Sequence, residues 1–127
     1  MANTHNKKPV FLNLLQIRMP VTAVVSIGHR FSGLILFICI PVLIYYLDKS
    51  LQSAEEFAAV LNTFSSSPVK WIAILLIWVF VHHLVAGIRF LFIDIDIGVD
   101  KKSASISAWL TLLVGFIVLV GGVACLL

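Results

Sequence analysis

Charge is what this sequence has least of. Only 12% of its 127 residues are Asp, Glu, Lys or Arg, six of them acidic and nine basic. None of the acidic residues falls inside a long apolar run. That argues against a small transporter or assembly subunit whose spans carry protons or substrate along carboxylates. The basic residues are scattered and lack the clustered stripe a nucleic-acid surface needs. Cysteine is scarce too. Cys39 and Cys125 both sit in apolar runs with no second ligand pattern nearby, so they read as small buried hydrophobes, not a metal or redox pair. Residues 1–20 carry Lys7, Lys8 and Arg18 and no apolar core ahead of a small-residue cleavage site. Neither a secretory signal nor an Arg- and Ser-rich transit peptide is expected there, and the setting expected is a bacterial inner membrane.

What the chain has in excess is apolar sequence, 61% of residues, with a mean hydropathy of +1.08. A soluble domain of this length could not hide that surface, and no separate soluble domain fits beside the apolar runs. Three spans are expected, at about residues 22–47, 70–93 and 106–127, making one all-α transmembrane domain. Pro20 suits the start of the first and Pro41 lies within it. Tyr45 and Tyr46 suit interfacial anchors. Residues 54–64 read as a short amphipathic surface helix, closed by Ser65-Ser66-Ser67-Pro68. The serines at 103, 105 and 107 are expected to cap the third span, and Gly115, Gly121 and Gly122 to let it pack closely. Lys7, Lys8 and Arg18 precede the first span, and Lys101 and Lys102 follow the second. The positive-inside rule then places the N-terminus in the cytoplasm and the C-terminus in the periplasm.

Polar residues inside spans are functional candidates, because charge there is costly and turns toward a bundle interior or cavity. Ser26, His29, Arg30 and Gly33 share one helix face. They offer a hydroxyl, an imidazole, a guanidinium and a gap where backbone or a flat ligand can approach. Counted inward from Asp48 and Lys70, Arg30 lies about 27 Å deep, Arg89 about 28 Å and His83 about 20 Å. One deep imidazole with cations above it suits a ligand with an imidazole-binding centre and acidic tails, and haem b meets both requirements. Gly87 and Phe90 follow His83 at i+4 and i+7, which would give a flat macrocycle clearance and a packing ring. No Cys-x-x-Cys-His occurs, so such a haem would not be covalently attached.

Each of these assignments has a competitor. His82, about 100° around the helix, is the rival ligand, and a histidine hydrogen-bonded across helices is the rival account of His83. His29 is expected too near the surface to be a second axial ligand, so a six-coordinate haem would draw on a partner chain. Arg30 and His29 can pair with haem propionates, or Arg30 can snorkel to lipid phosphate. Ser26 with Arg30 can hydrogen-bond a quinone carbonyl, or Ser26 is simply a helix-start serine. Arg89, about 120° away from His83, serves a propionate or anchors the helix end. Asp94, Asp96 and Asp100 read as a solvated loop, with a weaker case for docking a soluble subunit.

Four segments carry a family resemblance: Lys8-Pro-Val-Phe-Leu-Asn-Leu14, Ile17-Arg-Met-Pro-Val-Thr-Ala23, Ser26-Ile-Gly-His-Arg-Phe-Ser-Gly33, and His83-Leu-Val-Ala-Gly-Ile-Arg89 followed by Asp94. The last two, on the first and second of three spans, are the specific ones. Together they resemble the cytochrome b556 membrane-anchor subunits of bacterial succinate dehydrogenase (the C subunit of succinate:quinone oxidoreductase). The resemblance implies a three-helix half of a haem-binding bundle, completed by a second small membrane-anchor subunit. It implies His83 as one axial ligand of haem b, with the other on that subunit. Ser26 and Arg30 would line the ubiquinone site, and His29 and Arg30 would approach the propionates. A flavoprotein subunit and an iron–sulfur subunit would supply the electrons, so succinate is oxidised elsewhere. The related fumarate reductase anchor is the near alternative. Lys8 stands where the family has arginine, and Phe90 where some members carry a histidine.

Overall fold

The computed structural model describes residues 18–125. Lys7, Lys8 and the segment 8–14 lie outside those residues. The described chain is all helical: α1 (Val21–Gln52), α2 (Ala54–Ser65), α3 (Ser67–Asp94) and α4 (Lys101–Ala124). α1, α3 and α4 are each long and apolar enough to cross a membrane, and α3 packs against both of the others.

Local chemistry sets the helix ends, and it moves two of the expected boundaries. Pro20 caps α1, its carbonyl accepting from the N–H groups of Ala23 and Val24 at 2.9 and 3.2 Å. α1 does not stop near residue 47 but runs to Gln52, whose amide donates back to Asp48 at 3.0 Å. Lys49 pairs with Glu56 at 3.2 Å, tying α1 to α2. Ser53 caps α2 by accepting from Glu56 N–H at 3.1 Å, with Glu55 and Glu56 in the first turn complementing the helix dipole. Tyr46 packs edge-on against Phe64 at 5.2 Å, holding α2 beside the end of α1.

The third span starts at Lys101, not near residue 106, because Asp100 and not a serine is its cap. The Asp100 carboxylate accepts Ser103 N–H at 2.9 Å. That backbone bond from Ser103 holds the Asp100 carboxyl below its ordinary pKa. The cap is therefore in force above the usual carboxylate range and is lost as pH falls through the lowered value. Ser103, Ser105 and Ser107 lie within the helix instead.

α3 ends in a Schellman arrangement: Asp96 N–H donates to Ile93 O at 3.0 Å and Ile97 N–H to Phe92 O at 2.9 Å. The residue in the left-handed position is Asp96, with φ 61°. Two of the three aspartates of this loop thus have backbone roles that a simple solvated loop would not require.

Few side chains are fully enclosed. Val25 of α1, Ala86 of α3 and Ala108 of α4 have no exposure and meet where the three helices converge. Small residues let backbones approach, and in lipid such close packing replaces the hydrophobic drive of a soluble core. Gly115 and Gly122 act the same way: an added Cβ would sit 3.2 Å from Trp78 Nε1 and 3.0 Å from Ile74 Cγ2. Gly121, also expected at the packing face, meets nothing within 4 Å. Elsewhere large apolar side chains point outward, Phe37 at 71% exposure and Phe116 at 63%. These faces suit lipid or a partner's helices.

A left-handed residue with a Cβ costs about 1–2 kcal/mol relative to glycine, less for Asp than for bulkier types. Asp96→Gly is expected to preserve or slightly raise the thermal midpoint of the purified protein, and Asp96→Val to lower it. Equal midpoints for the two would remove the Schellman role.

Candidate functional site

His83 on α3 reaches across to α1. Its Nδ1 lies 3.0 Å from the carbonyl oxygen of His29 and 3.0 Å from Ser32 Oγ, while Ser32 Oγ–H donates to the same carbonyl at 2.8 Å. The hydroxyl has one proton, and it is committed to the carbonyl. A carbonyl can only accept, so the short Nδ1 contact requires the proton on Nδ1, shared between the carbonyl and Ser32 Oγ. With the Nδ1 proton so placed, Nε2 is the nitrogen left for a ligand, and it has no hydrogen bond among the described residues. A backbone carbonyl fixing the tautomer in this way is how ligating histidines are oriented.

The His29 ring stacks on His83, with centroids 4.1 Å apart and planes within 6°. Phe90 closes on His29 from the side at 5.3 Å. Two expectations change. His29 is not remote from His83, because the antiparallel register of α1 and α3 sets Gly33 against His83 and Gly87 against His29. Gly87 and Phe90 accordingly receive the His29 ring instead of forming an open face beside His83.

The gap expected at Gly33 is filled by His83 itself. A Cβ at Gly33 would fall 2.9 Å from His83 Cε1, and one at Gly28 only 2.7 Å from His82 Nε2. So α1 carries two glycine seats, one for each imidazole. His82 is buried, stacks on Trp78 at 6.1 Å, and its Nε2 has no hydrogen-bond partner. It borders a cavity of about 270 Å³ lined by Gly28, Ser32, Trp78 and apolar side chains of α1 and α4. The two adjacent histidines therefore differ: His83 is fixed by hydrogen bonds and half-exposed, whereas His82 is packed away.

Ser26 is half-buried and Arg30 exposed on the same side of α1. Among the described residues neither is held by a side chain of α3 or α4, so this polar pair opens outward from the three-helix unit.

Arg89 turns the other way. Its Nε–H donates to Ser107 Oγ at 2.9 Å and its Nη2–H to Ala104 O at 3.1 Å, pinning α3 to the first turns of α4. The helix-anchor alternative for Arg89 is the one these contacts match. Sequence reasoning passed over Ser32, although it stands one turn after His29 inside the quoted motif, where its hydroxyl could meet that carbonyl.

Comparison with known proteins follows the same lines. The family model described as succinate dehydrogenase/fumarate reductase transmembrane subunit matches residues 4–122. A protein of Coxiella burnetii named succinate dehydrogenase cytochrome b556 subunit is 36% identical over 118 residues, 90% of this chain and 92% of that one. A protein of the same name from Rickettsia prowazekii is 29% identical over 83% of this chain and 82% of its own length. The succinate dehydrogenase hydrophobic membrane anchor subunit of Halobacterium salinarum is 34% identical over 66% of this chain and 65% of its own length.

The two glycine seats separate the two histidines. Each alanine is an overpacking change costing about 1–3 kcal/mol, visible as a lower thermal midpoint. Gly33→Ala is expected also to shift or abolish the reduced-minus-oxidised spectrum of a haem held by His83, and Gly28→Ala to leave its band position unchanged. The opposite pattern would identify His82 as the ligand.

Proposed function

The chain belongs to the succinate dehydrogenase/fumarate reductase transmembrane subunit family, and on that premise we propose that it holds haem b through His83, jointly with a histidine of a second small anchor subunit. The observation that supports this most is the Nδ1–H bond of His83 to the His29 carbonyl, which leaves the Nε2 lone pair for a ligand. The residues fit the group: an imidazole hydrogen-bonded at Nδ1 and partly exposed, with no hydrogen bond at Nε2 among the described residues. Bound there, the haem supplies a one-electron carrier.

The chain's own residues have three tasks in this reading. His83 presents Nε2, and Ser32 with the His29 carbonyl keeps it from turning. Arg30, exposed on the α1 face, offers a guanidinium to a propionate or to a quinone oxygen. As a fixed cation it favours the negative charge that develops on quinone during reduction. Ser26, one turn away, orients the quinone ring by hydrogen bonding. His29 spends its ring on His83 in this arrangement, so the propionate role falls first to Arg30.

The wider assembly is part of the same proposal. A flavoprotein subunit and an iron–sulfur subunit dock on the cytoplasmic face, electrons pass from the iron–sulfur subunit to ubiquinone, and the C-terminus is periplasmic. The family description covers succinate dehydrogenase and fumarate reductase alike. The three relatives above are named for succinate dehydrogenase, which favours succinate oxidation as the direction.

Two substitutions test the reading in the complex purified through a tag on this chain. His83→Tyr is expected to remove or alter the b-type reduced-minus-oxidised spectrum, and an unchanged spectrum would refute His83 as ligand. Arg30→Ala is expected to lower quinone reductase activity by about 10²–10³-fold while artificial-dye reduction by the soluble subunits stays within about twofold. Equal loss of both activities would make Arg30 an assembly residue.

A further inference from the structure

Arg89 is a buried cation, 7% exposed, whose hydrogen-bond partners are both neutral: a serine hydroxyl and a backbone carbonyl. The ion pair found among the described residues is Lys49–Glu56, at the other end of α1. Asp94, Asp96 and Asp100 lie nearby in the chain, yet none pairs with Arg89 and Asp100 is committed to capping α4. A guanidinium held at low exposure calls for an anion, and a planar five-donor group with two donors used can still offer a fork to phosphate.

The space beside Arg89 fits such an anion carried on a hydrocarbon. A cavity of about 440 Å³ runs between α3 and α4 from Arg89, Ser103 and Ser107 at its polar end to Val85, Leu110 and Val114 at its apolar end. Its rim residues Ile88 and Phe92 are about half exposed, so it opens sideways to the membrane. Lys101 and Lys102, both exposed in the first turn of α4 just before Ser103, line neighbouring clefts and add positive charge to that end of the helix. This groove lies about 120° around α3 from His83, away from the flank proposed to meet the second anchor subunit.

We propose that the α3–α4 groove binds one anionic phospholipid, its phosphate on Arg89 and an acyl chain along Val85, Ile88, Phe92, Leu110 and Val114. A long apolar slot ending in an uncompensated cation distinguishes a lipid phosphate from a free ion, which would use only the polar end. The site is separate from the haem and quinone reading and stands or falls independently of it.

The test uses the complex purified through a tag on this chain and analysed by native mass spectrometry and thermal unfolding in nanodiscs. With phosphatidylglycerol mixed into phosphatidylcholine, one retained anionic lipid and a raised thermal midpoint are expected. Arg89→Gln keeps hydrogen-bonding capacity toward Ala104 and Ser107 but removes the charge, and is expected to weaken retention about tenfold or more. Arg89→Lys is expected to retain the lipid. Leu110→Trp fills the groove without touching the Arg89 contacts and is expected to abolish retention. It carries the test alone should Arg89→Gln fail to assemble. Retention by Leu110→Trp, equal retention of phosphatidylcholine, or the same midpoint shift from inorganic phosphate alone would each overturn the proposal.

Discussion

The carbonyl of His29 carries more hydrogen bonds than its helix requires. Within a helix it already faces the N–H four residues on, yet it also accepts from Ser32 Oγ–H and from His83 Nδ1–H. A membrane interior makes this economical, since a polar group left without a partner there is expensive and each donor must find an acceptor within the protein. Three consequences follow from the one atom. It fixes the tautomer of His83, it fixes how closely α1 and α3 approach at Gly33, and it sets the register that brings His29 over His83. Loss of the Ser32 hydroxyl would leave the His83 bond in place but remove the second acceptor that steadies the ring.

Much of the architecture is legible in the sequence. Apolar runs of the right length locate three spans, and the polar stretch at 54–64 locates the surface helix. Their ends are less legible, because a helix stops where its caps allow and not where hydropathy falls. The serines near 105 look like caps by residue type, but Asp100 reaches the Ser103 N–H first and starts α4 early. Asp96 takes a left-handed position usually given to glycine, which residue type alone does not announce.

The candidate site is legible as a set of residues and not as a geometry. Helical spacing correctly groups Ser26, His29 and Arg30 on one side of α1, but depth counted from assumed span ends treats α1 and α3 as if those ends were level. The contacts of Gly33 with His83 and of Gly87 with His29 depart from that count by only about two residues, so the two histidines do lie about one turn apart along the axis. What the count leaves out is side-chain reach, which closes that turn and stacks the rings. Glycines 28 and 33 carry the correct register. Each is the position on α1 where only a hydrogen leaves room for an imidazole of α3.

α3 divides its polar residues between two neighbours, and this division explains why adjacent histidines need not be interchangeable. His83 turns to α1 and remains half-exposed, His82 is enclosed near Trp78, and Arg89 turns to α4. Of the two, His83 has its Nδ1 hydrogen-bonded and its side chain partly exposed. The Nε2 of His82 is buried without a hydrogen-bond partner and set against Gly28. Steric seating, more than intrinsic imidazole chemistry, is what sets the two apart.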